Sequence, residues 1–331
     1  MHRVSWTAAQ SEFPTALAWC GDELVVGLAD GTLAFHNGAS GNERRRSAAH
    51  GGGVLALAVH PHEPIVASAG EEGAVRLHRG AETIDVDPVG GGWVEHLAWS
   101  PAGKRLAASQ GPVVRIWSLD GRLLARSPAL ASTVTGLAWS RDGHRVAAAC
   151  YGGVSLIDAT SSTVVQQLPW KGSMLGLTWS PDGRFLATGG QDSTVHFWRM
   201  PSGDDSMMSG YPSKPTALAW SADSKRLATG GAAQITVWPF DGKGPEGREP
   251  ETLEGHDDLV TALAFAPRRR TLASGCRGGR LALWPDTDTA EPVAAFELGD
   301  RVEVLAWHPS ATRIAGTTGG AVTVVVTEGR A

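Results

Sequence analysis

The sequence predicts an all-β fold that is built from eight similar units arranged in a closed ring. The first observation is the stretch from Leu177 to Trp198, which divides into three short strands joined by two polar turns. The second is a Leu-Ala-Trp-like element that recurs eight times in 331 residues, at intervals of 40 to 45 residues. The third is the 42 glycines, which occur without helical periodicity. A period of this length with several strands per unit is typical of a β-propeller.

The eight units contain the same parts in the same order. The strand with the recurring leucine is followed by a turn such as Pro101-Ala102-Gly103, then by a strand like LATGG and a strand like VRIW. A less regular segment after units 2, 3, 4 and 7 predicts a fourth, outer strand. Three strands cannot bury both faces alone, so each unit needs its neighbours. The units begin near residues 13, 53, 93, 133, 173, 214, 259 and 301.

The last unit lacks an outer segment, and the beginning of the chain supplies a candidate for it. Only five residues follow Val326, whereas residues 3–9, RVSWTAA, are strand-like and belong to no unit. We predict that residues 3–9 complete the last blade, because an open ring would leave sheet edges exposed. The prediction is therefore one closed propeller of eight four-stranded blades over residues 1–331. The alternative is seven blades with one degenerate unit outside the ring.

The repeated parts resemble those of WD-repeat β-propellers. In unit 7 the segments GHDDLVTALAFAP, LASGC and LALWP follow that family's Gly-His pair and its three inner strands. The repeats are degenerate, because the Trp-Asp pair occurs nowhere and Gly255-His256 is the only Gly-His pair in phase. The family's buried side-chain network is complete in no unit. Unit 2 comes nearest to it, with His50, Ser68, Glu72 and His78.

The resemblance implies a top face to which each unit contributes three positions. Two lie four and two residues before the first-strand leucine, and the third lies just before the acidic residue of the second turn. Ten of the thirteen tryptophans fall at two core positions of the repeat, but Trp93 falls on this face. Units 1 to 3 combine apolar and acidic side chains there, which suits a partner with an apolar anchor and a basic neighbour. The predicted contact residues are Phe13, Leu55, Glu71, Trp93, Glu95, Tyr151, Leu175, Gln191, Lys214, Leu259, Arg277, Arg301 and Glu303.

We expect a non-catalytic scaffold that binds a protein or peptide segment across the top face. A rigid ring of loops favours this role, because few of its groups lose conformational freedom when a partner binds. The sequence contains no HExxH, no paired CxxC, no GxSxG elbow and no glycine loop that leads into a helix. We therefore expect no catalytic residue, no metal and no cofactor. One alternative is an enzyme with a cofactor or metal in the central channel, as in quinone-dependent dehydrogenases. The other is an RNA-binding platform, which would need a basic face.

Composition limits the partners and the location that we expect. The net charge is −5 and no basic stripe is visible, which argues against nucleic acid as the main partner. The sequence contains no run of about 18 apolar residues, so we expect no membrane-spanning helix. Three widely spaced cysteines and an N-terminus without an apolar signal segment favour the cytoplasm. The alanine- and arginine-rich composition suggests a high-GC bacterial source.

Overall fold

A computed structural model describes residues 2–86, 91–287 and 289–327 of the chain. Within these ranges the regular elements are 31 β-strands, which form eight antiparallel sheets. Each sheet, or blade, corresponds to one repeat unit. The first strand of every blade is innermost, and it contacts the first strands of both neighbouring blades around the whole ring.

Strand β1 (Arg3–Ala9) precedes the first blade, and blades 1 to 4 then follow in chain order. Blade 1 contains β2 (Pro14–Cys20), β3 (Glu23–Leu28), β4 (Thr32–Asn37) and β5 (Glu43–Ala48). Blade 2 contains β6 (Val54–Val59), β7 (Ile65–Gly70), β8 (Val75–Arg79) and β9 (Glu82–Asp85). Blade 3 contains β10 (Val94–Trp99), β11 (Arg105–Gln110), β12 (Val113–Ser118) and β13 (Leu123–Arg126). Blade 4 contains β14 (Gly136–Trp139), β15 (Arg145–Asp158) and β16 (Val164–Ser173), with β15 in the place of the second and third strands.

Blades 5 to 8 complete the ring. Blade 5 contains β17 (Thr178–Trp179), β18 (Phe185–Gly189), β19 (Val195–Arg199) and β20 (Asp204–Met208). Blade 6 contains β21 (Leu218–Trp220), β22 (Arg226–Thr229), β23 (Ile235–Pro239) and β24 (Glu251–Leu253). Blade 7 contains β25 (Val260–Phe265), β26 (Leu272–Cys276), β27 (Arg280–Trp284) and β28 (Ala294–Glu297). Blade 8 contains β29 (Val302–Trp307), β30 (Arg313–Thr318), β31 (Ala321–Val326) and, as its outer strand, β1.

The beginning of the chain closes the ring as the sequence predicts. Strand β1 pairs antiparallel with β31, from Arg3 opposite Val326 to Ala9 opposite Ala321. The last sheet therefore has the order β1-β31-β30-β29, and its outer strand comes from the other end of the chain. The predictions of eight blades and of closure by residues 3–9 are confirmed, and the seven-blade alternative is wrong.

Two tryptophans connect blade 8 to blade 1 across this closure. Trp6 reaches from β1 onto blade 1, where its Nε1 donates a hydrogen bond to the Gly38 carbonyl at 3.1 Å. Its ring also stacks on His36, with 5.9 Å between the ring centroids. On the inner side of the ring, Trp19 Nε1 donates to the Ala306 carbonyl at 2.9 Å. The closing seam is thus held by side chains as well as by the β1–β31 pairing.

Apolar packing between neighbouring blades forms the core. In the described part of the chain the buried apolar side chains fall into eight clusters, and each cluster joins two adjacent blades. Tryptophans at the ends of the first strands add hydrogen bonds across several seams. Trp139 Nε1, for example, donates to the Ala98 carbonyl of blade 3 at 2.8 Å. These bonds satisfy the indole donor while the ring is buried.

Blade 2 contains a buried polar network built from the four side chains that its sequence suggests. His50 Nδ1 lies 2.7 Å from Glu72 Oε1, and His50 Nε2 lies 2.7 Å from Ser68 Oγ. The same hydroxyl lies 2.7 Å from His78 Nε2. Arg76, which was not expected to take part, donates from Nη1 to Glu72 Oε1 at 2.8 Å. The network therefore ends in a charged pair near the surface.

Blade 7 contains a shorter network of the same kind. Trp284 Nε1 donates to Ser274 Oγ at 2.8 Å, and that hydroxyl lies 2.7 Å from His256 Nε2. Burial, followed by the nearby Arg280 guanidinium, lowers the pKa of His256 to about 4. In blade 2, burial is again the largest cause that lowers the pKa of His78 to about 4. Both imidazoles are therefore neutral in the folded chain at neutral pH.

We expect the free energy of unfolding to decrease as the pH is lowered from about 6.5 to 4. In the unfolded chain these histidines have their ordinary pKa near 6.5, so they take up protons in this range. In the folded chain His78 and His256 do not, because their pKa is about 4. Stability is therefore greatest above the unfolded pKa. When the pH is lowered from 7 to 5, the titration of each of these histidines should lower the free energy of unfolding by about 2 kcal/mol.

Chemical unfolding at pH 7 and pH 5 measures this effect. The double variant His78→Gln/His256→Gln should lose less stability between the two pH values than the parent, because glutamine does not titrate. His144→Gln, which changes an exposed histidine in a turn, is the matched control and should behave like the parent. An equal loss of stability in the parent and the double variant would contradict the prediction.

Candidate protein-binding face

The loops before the first strands and the turns between the second and third strands lie side by side at one end of the ring. In blade 2, Glu71 N donates to the Gly53 carbonyl at 3.1 Å, and in blade 7, Arg277 N donates to the Leu259 carbonyl at 2.9 Å. Equivalent backbone bonds join residues 29 and 13 of blade 1 and residues 191 and 173 of blade 5. The three positions that the repeat register selects in each unit therefore belong to one surface, the top face.

The most exposed aromatic side chains of the described residues are all on the top face. Phe13, Trp93 and Tyr151 are 45%, 58% and 58% exposed. They belong to blades 1, 3 and 4, and half-buried Leu55 lies on the blade between the first two. We call these four residues the aromatic arc. Other large apolar side chains of similar exposure are aliphatic and lie on or beside outer strands: Val4, Leu123, Leu124, Val164, Val165, Met207 and Val293.

The local sequence explains why Trp93 faces the solvent. Side chains alternate along β10, and Val94 points into the core with no exposed surface, so Trp93 and Glu95 point outward. Gly92 turns the chain just before Trp93, and its φ of 123° is a backbone conformation that glycine adopts readily. Gln110 Nε2 donates to the Gly92 carbonyl at 3.0 Å and holds this loop against the neighbouring turn. Trp93 is thus presented on a supported loop.

A depression of about 450 Å³ lies beside Trp93 on the top face. Glu95 and Thr133 line it together with Gln110 and Arg115. Arg115 Nη1 donates to Gln110 Oε1 at 2.7 Å, so this guanidinium is turned toward the blade. The depression can therefore accept a side chain between an indole ring and a carboxylate.

Carboxylates surround the aromatic arc. Three exposed glutamates and aspartates lie in the top loops of blades 1 to 3, namely Glu12, Asp30 and Glu71, and exposed Glu95 lies at the start of β10; none of the four has an ion-pair partner among the described residues. The described parts of these loops contain no lysine or arginine. Glu12 and Asp30 were not selected from the sequence, because they lie one residue beyond the positions that the repeat register picks. The sequence features that could have identified them are that Glu12 is adjacent to Phe13 and that Asp30 lies in the second turn of unit 1.

The predicted residues of blades 5 to 8 are more polar, and their charges are largely compensated. Arg277 Nη2 lies 2.8 Å from Asp258 Oδ1, and Arg301 Nε lies 3.1 Å from Glu303 Oε1. The remaining predicted residues on these blades are exposed Gln191 and Lys214 and half-buried Leu175 and Leu259. Only blades 1 to 4 thus combine exposed aromatic rings with uncompensated acid.

The position two residues before the leucine has a structural role in some blades. Thr15 Oγ1 donates to the Val54 carbonyl of the next blade at 2.6 Å, and Thr135 Oγ1 donates to the Met174 carbonyl at 2.7 Å. These threonines join neighbouring first strands at the rim of the ring. Leucine and glutamate at the same position, as in Leu55 and Glu95, cannot donate this bond and are available for contacts.

The described residues offer no candidate for two other kinds of site. No group of three or more His, Cys, Asp or Glu side chains has the arrangement needed to hold a metal ion. Likewise, no helix in this part of the chain is long and apolar enough to cross a membrane.

Comparison with known proteins points to a repeat family and a fold. The family model described as "WD domain, G-beta repeat" matches residues 41–79, 163–199 and 247–285, about a third of the chain. Coronin-7 from Bos taurus is 28% identical over 116 residues, which are 33% of this chain and 12% of that protein. Coronin-7 from Rattus norvegicus is 24% identical over a match of the same length. The chain thus covers a small part of these relatives.

A solved structure extends the similarity of fold to nearly the whole chain. The crystal structure of the computationally designed protein Ika8 superposes with a TM-score of 0.83, covering 96% of this chain and 98% of the designed one. The sequence identity is 22%, so the match concerns the fold alone.

Proposed function

Because the chain is a WD-repeat β-propeller with eight blades, we propose that it is a non-catalytic scaffold that binds another protein on its top face. The observation that carries the proposal is the aromatic arc, in which exposed Phe13, Trp93 and Tyr151 on blades 1, 3 and 4 are joined by half-buried Leu55 on blade 2. Exposed aromatic side chains are the residues on which protein interfaces most often depend. Clustered apolar surface on a folded protein commonly marks such an interface.

The charges around the arc favour a partner segment that carries basic residues beside an apolar anchor. Four exposed carboxylates without ion pairs attract cations and repel acidic segments, which supports specificity and fast association. A lysine or arginine side chain of the partner would contact the indole face and Glu95 in the depression beside Trp93, which is also lined by Arg115, whose guanidinium is hydrogen-bonded to Gln110. The apolar anchor would cover the surface between Phe13 and Leu55.

We expect Trp93→Ala to weaken partner binding by about 2 kcal/mol or more, with little change in melting temperature. Trp93 is largely exposed, so its removal leaves no cavity in the core. Leu124→Ala is the matched control, because Leu124 belongs to the same blade and is 40% exposed on its outer strand. The measurement is affinity purification from the source organism, followed by titration of the captured protein against the parent and both variants. Equal binding by the parent and the Trp93 variant would contradict the proposal.

We further propose a cytoplasmic location. Cys20, Cys150 and Cys276 are free thiols, and two of them are buried. Unpaired cysteines of this kind are common in a reducing compartment. Cell fractionation with an antibody to the chain tests the location, and recovery outside the cytoplasmic fraction would refute it.

A further inference from the structure

The face opposite the top face collects cationic side chains from many blades. We call it the lower face and define it by the turns between the first and second strands. These turns carry exposed Lys104 in blade 3, Arg141 in blade 4, Arg184 in blade 5 and Lys225 in blade 6. Blade 7 adds the run Arg268–Arg270. Most of these residues are about 40 positions apart in the sequence, so no basic stripe is visible there.

Neighbouring turns of the lower face touch each other and form a continuous surface. His60 Nε2 lies 2.9 Å from the Gly103 carbonyl, which joins blades 2 and 3. Asp182 N donates a hydrogen bond to Ser224 Oγ of the next turn at 2.9 Å, which joins blades 5 and 6. The cations on these turns therefore belong to one patch.

The carboxylates of the same turns are engaged in holding the turns. Asp142 Oδ1 accepts from Ser140 Oγ at 2.6 Å, and Asp182 Oδ1 accepts from Ser180 Oγ at 2.6 Å. Each also accepts a backbone N–H at 3.0 Å. Neither forms an ion pair with a neighbouring arginine within the described residues. The acids therefore reduce the positive charge of the patch without occupying its guanidinium groups.

Two cavities on this face, across blades 4 to 6, share Met200 in their linings, and we call the two together the lower groove. The first, of about 440 Å³, is lined by Arg141, Arg145 and Trp179 among others. The second, of about 640 Å³, lies under the loop between β23 and β24. Four groove cations have no ion-pair partner in the described part of the chain: Arg141, Arg145, Arg184 and Lys243. Arg199, by contrast, is paired with Glu246.

We propose that the lower groove binds an acidic segment of another protein. Carboxylates of the segment would meet the four groove cations, and an apolar side chain would cover Met200 and the edge of Trp179. Arginine suits this contact, because its planar guanidinium binds carboxylate in a bidentate manner. The scaffold would then hold a basic partner on the top face and an acidic partner on the lower face.

The shape of the site favours a peptide over the other polyanions. Single-stranded nucleic acid needs exposed aromatic rings on which bases stack, and the strongly exposed rings of the described residues lie on the top face. A bilayer surface would contact the outermost side chains, whereas Arg145 and Met200 are half-buried within the groove. A narrow extended segment reaches these groups.

Fluorescence anisotropy with a labelled twelve-residue peptide of Glu and Asp that contains two leucines tests the proposal on the full chain. We expect saturable binding that weakens as salt is added. The variant Arg141→Glu/Arg184→Glu should bind at least tenfold more weakly, and Lys243→Glu should also lose affinity. Arg44→Glu, an exposed arginine on the outer strand of blade 1, is the matched control and should change binding less than twofold. Melting curves of all variants establish that they are folded.

Three outcomes would overturn the proposal. The first is equal weakening by Arg44→Glu and the groove variants, which would indicate attraction by net charge alone. The second is a chain that binds poly(U) RNA but not the acidic peptide. The third is a chain that binds phosphatidylserine vesicles but not the acidic peptide. In both of these cases the groove variants would abolish the binding. The two faces are tested independently, because Trp93→Ala should leave peptide binding unchanged and the groove variants should leave the top-face partner bound.

Discussion

Deletion of residues 2–10 is expected to lower the free energy of unfolding by about 4 kcal/mol or more. The deletion removes β1 and leaves the backbone groups of β31 unpaired at a sheet edge. It also removes Trp6, whose indole joins blade 8 to blade 1 through Gly38 and His36. The ring would lose both the outer strand of its last blade and half of its closing seam.

Urea unfolding of the parent and the truncated chain measures the loss, and a peptide of residues 2–12 added in trans provides the control. If closure is the cause, the peptide should restore stability in a concentration-dependent manner. Trp6→Ala should reproduce part of the effect, about 2 kcal/mol, because it keeps the strand and removes only the seam contact. A truncated chain that melts within about 2 °C of the parent would refute the role of β1.

Trp284→Ala is expected to destabilise the fold by about 3–5 kcal/mol. Trp284 is completely buried between blades 6 and 7, so truncation leaves a large cavity. Truncation also removes the donor to Ser274 Oγ in the network that continues to His256. A buried hydroxyl that loses one partner adds to the cost of the cavity.

The equivalent residue of blade 5 separates these two contributions. Trp198 is also completely buried, but its Nε1 has no hydrogen-bond partner among the described residues. Trp198→Phe and Trp284→Phe remove similar volume, yet only the second breaks a hydrogen bond. We expect Trp284→Phe to cost about 1 kcal/mol more in urea unfolding. Equal costs would show that packing alone determines the stability of this position.

The top-face residues could be placed from sequence because each position is local to one repeat. Trp93 and Glu95 follow from their distance to Leu97 and from the top-face positions that the family resemblance implies. That these residues bind a partner stays a prediction. Glu12 and Asp30, which complete the acidic surroundings, were missed because the repeat register counts three positions per unit and they occupy others.

The outer strands show where local patterns become weak. The candidates after units 2, 3, 4 and 7 correspond to β9, β13, β16 and β28, but β5, β20 and β24 were not recognised. The sequence of β5 is ERRRSA and that of β20 is DDSMM, so neither shows a clear alternation of apolar and polar residues. An outer strand is mostly solvated, and its position depends on backbone pairing with the third strand more than on its own side chains.

The sequence by itself determined the eight repeat units, the candidate closing strand and the separation of core tryptophans from Trp93, because these follow from a motif that recurs along the chain; the choice of eight blades over seven came from the structure. Only the tertiary structure decided which residues of different blades meet. The lower groove combines Arg141, Arg184 and Lys243 from three blades, and the chain as a whole has a net charge of −5. Ring closure brings turns that are distant in sequence into contact, so a basic face can exist without a basic stretch of sequence.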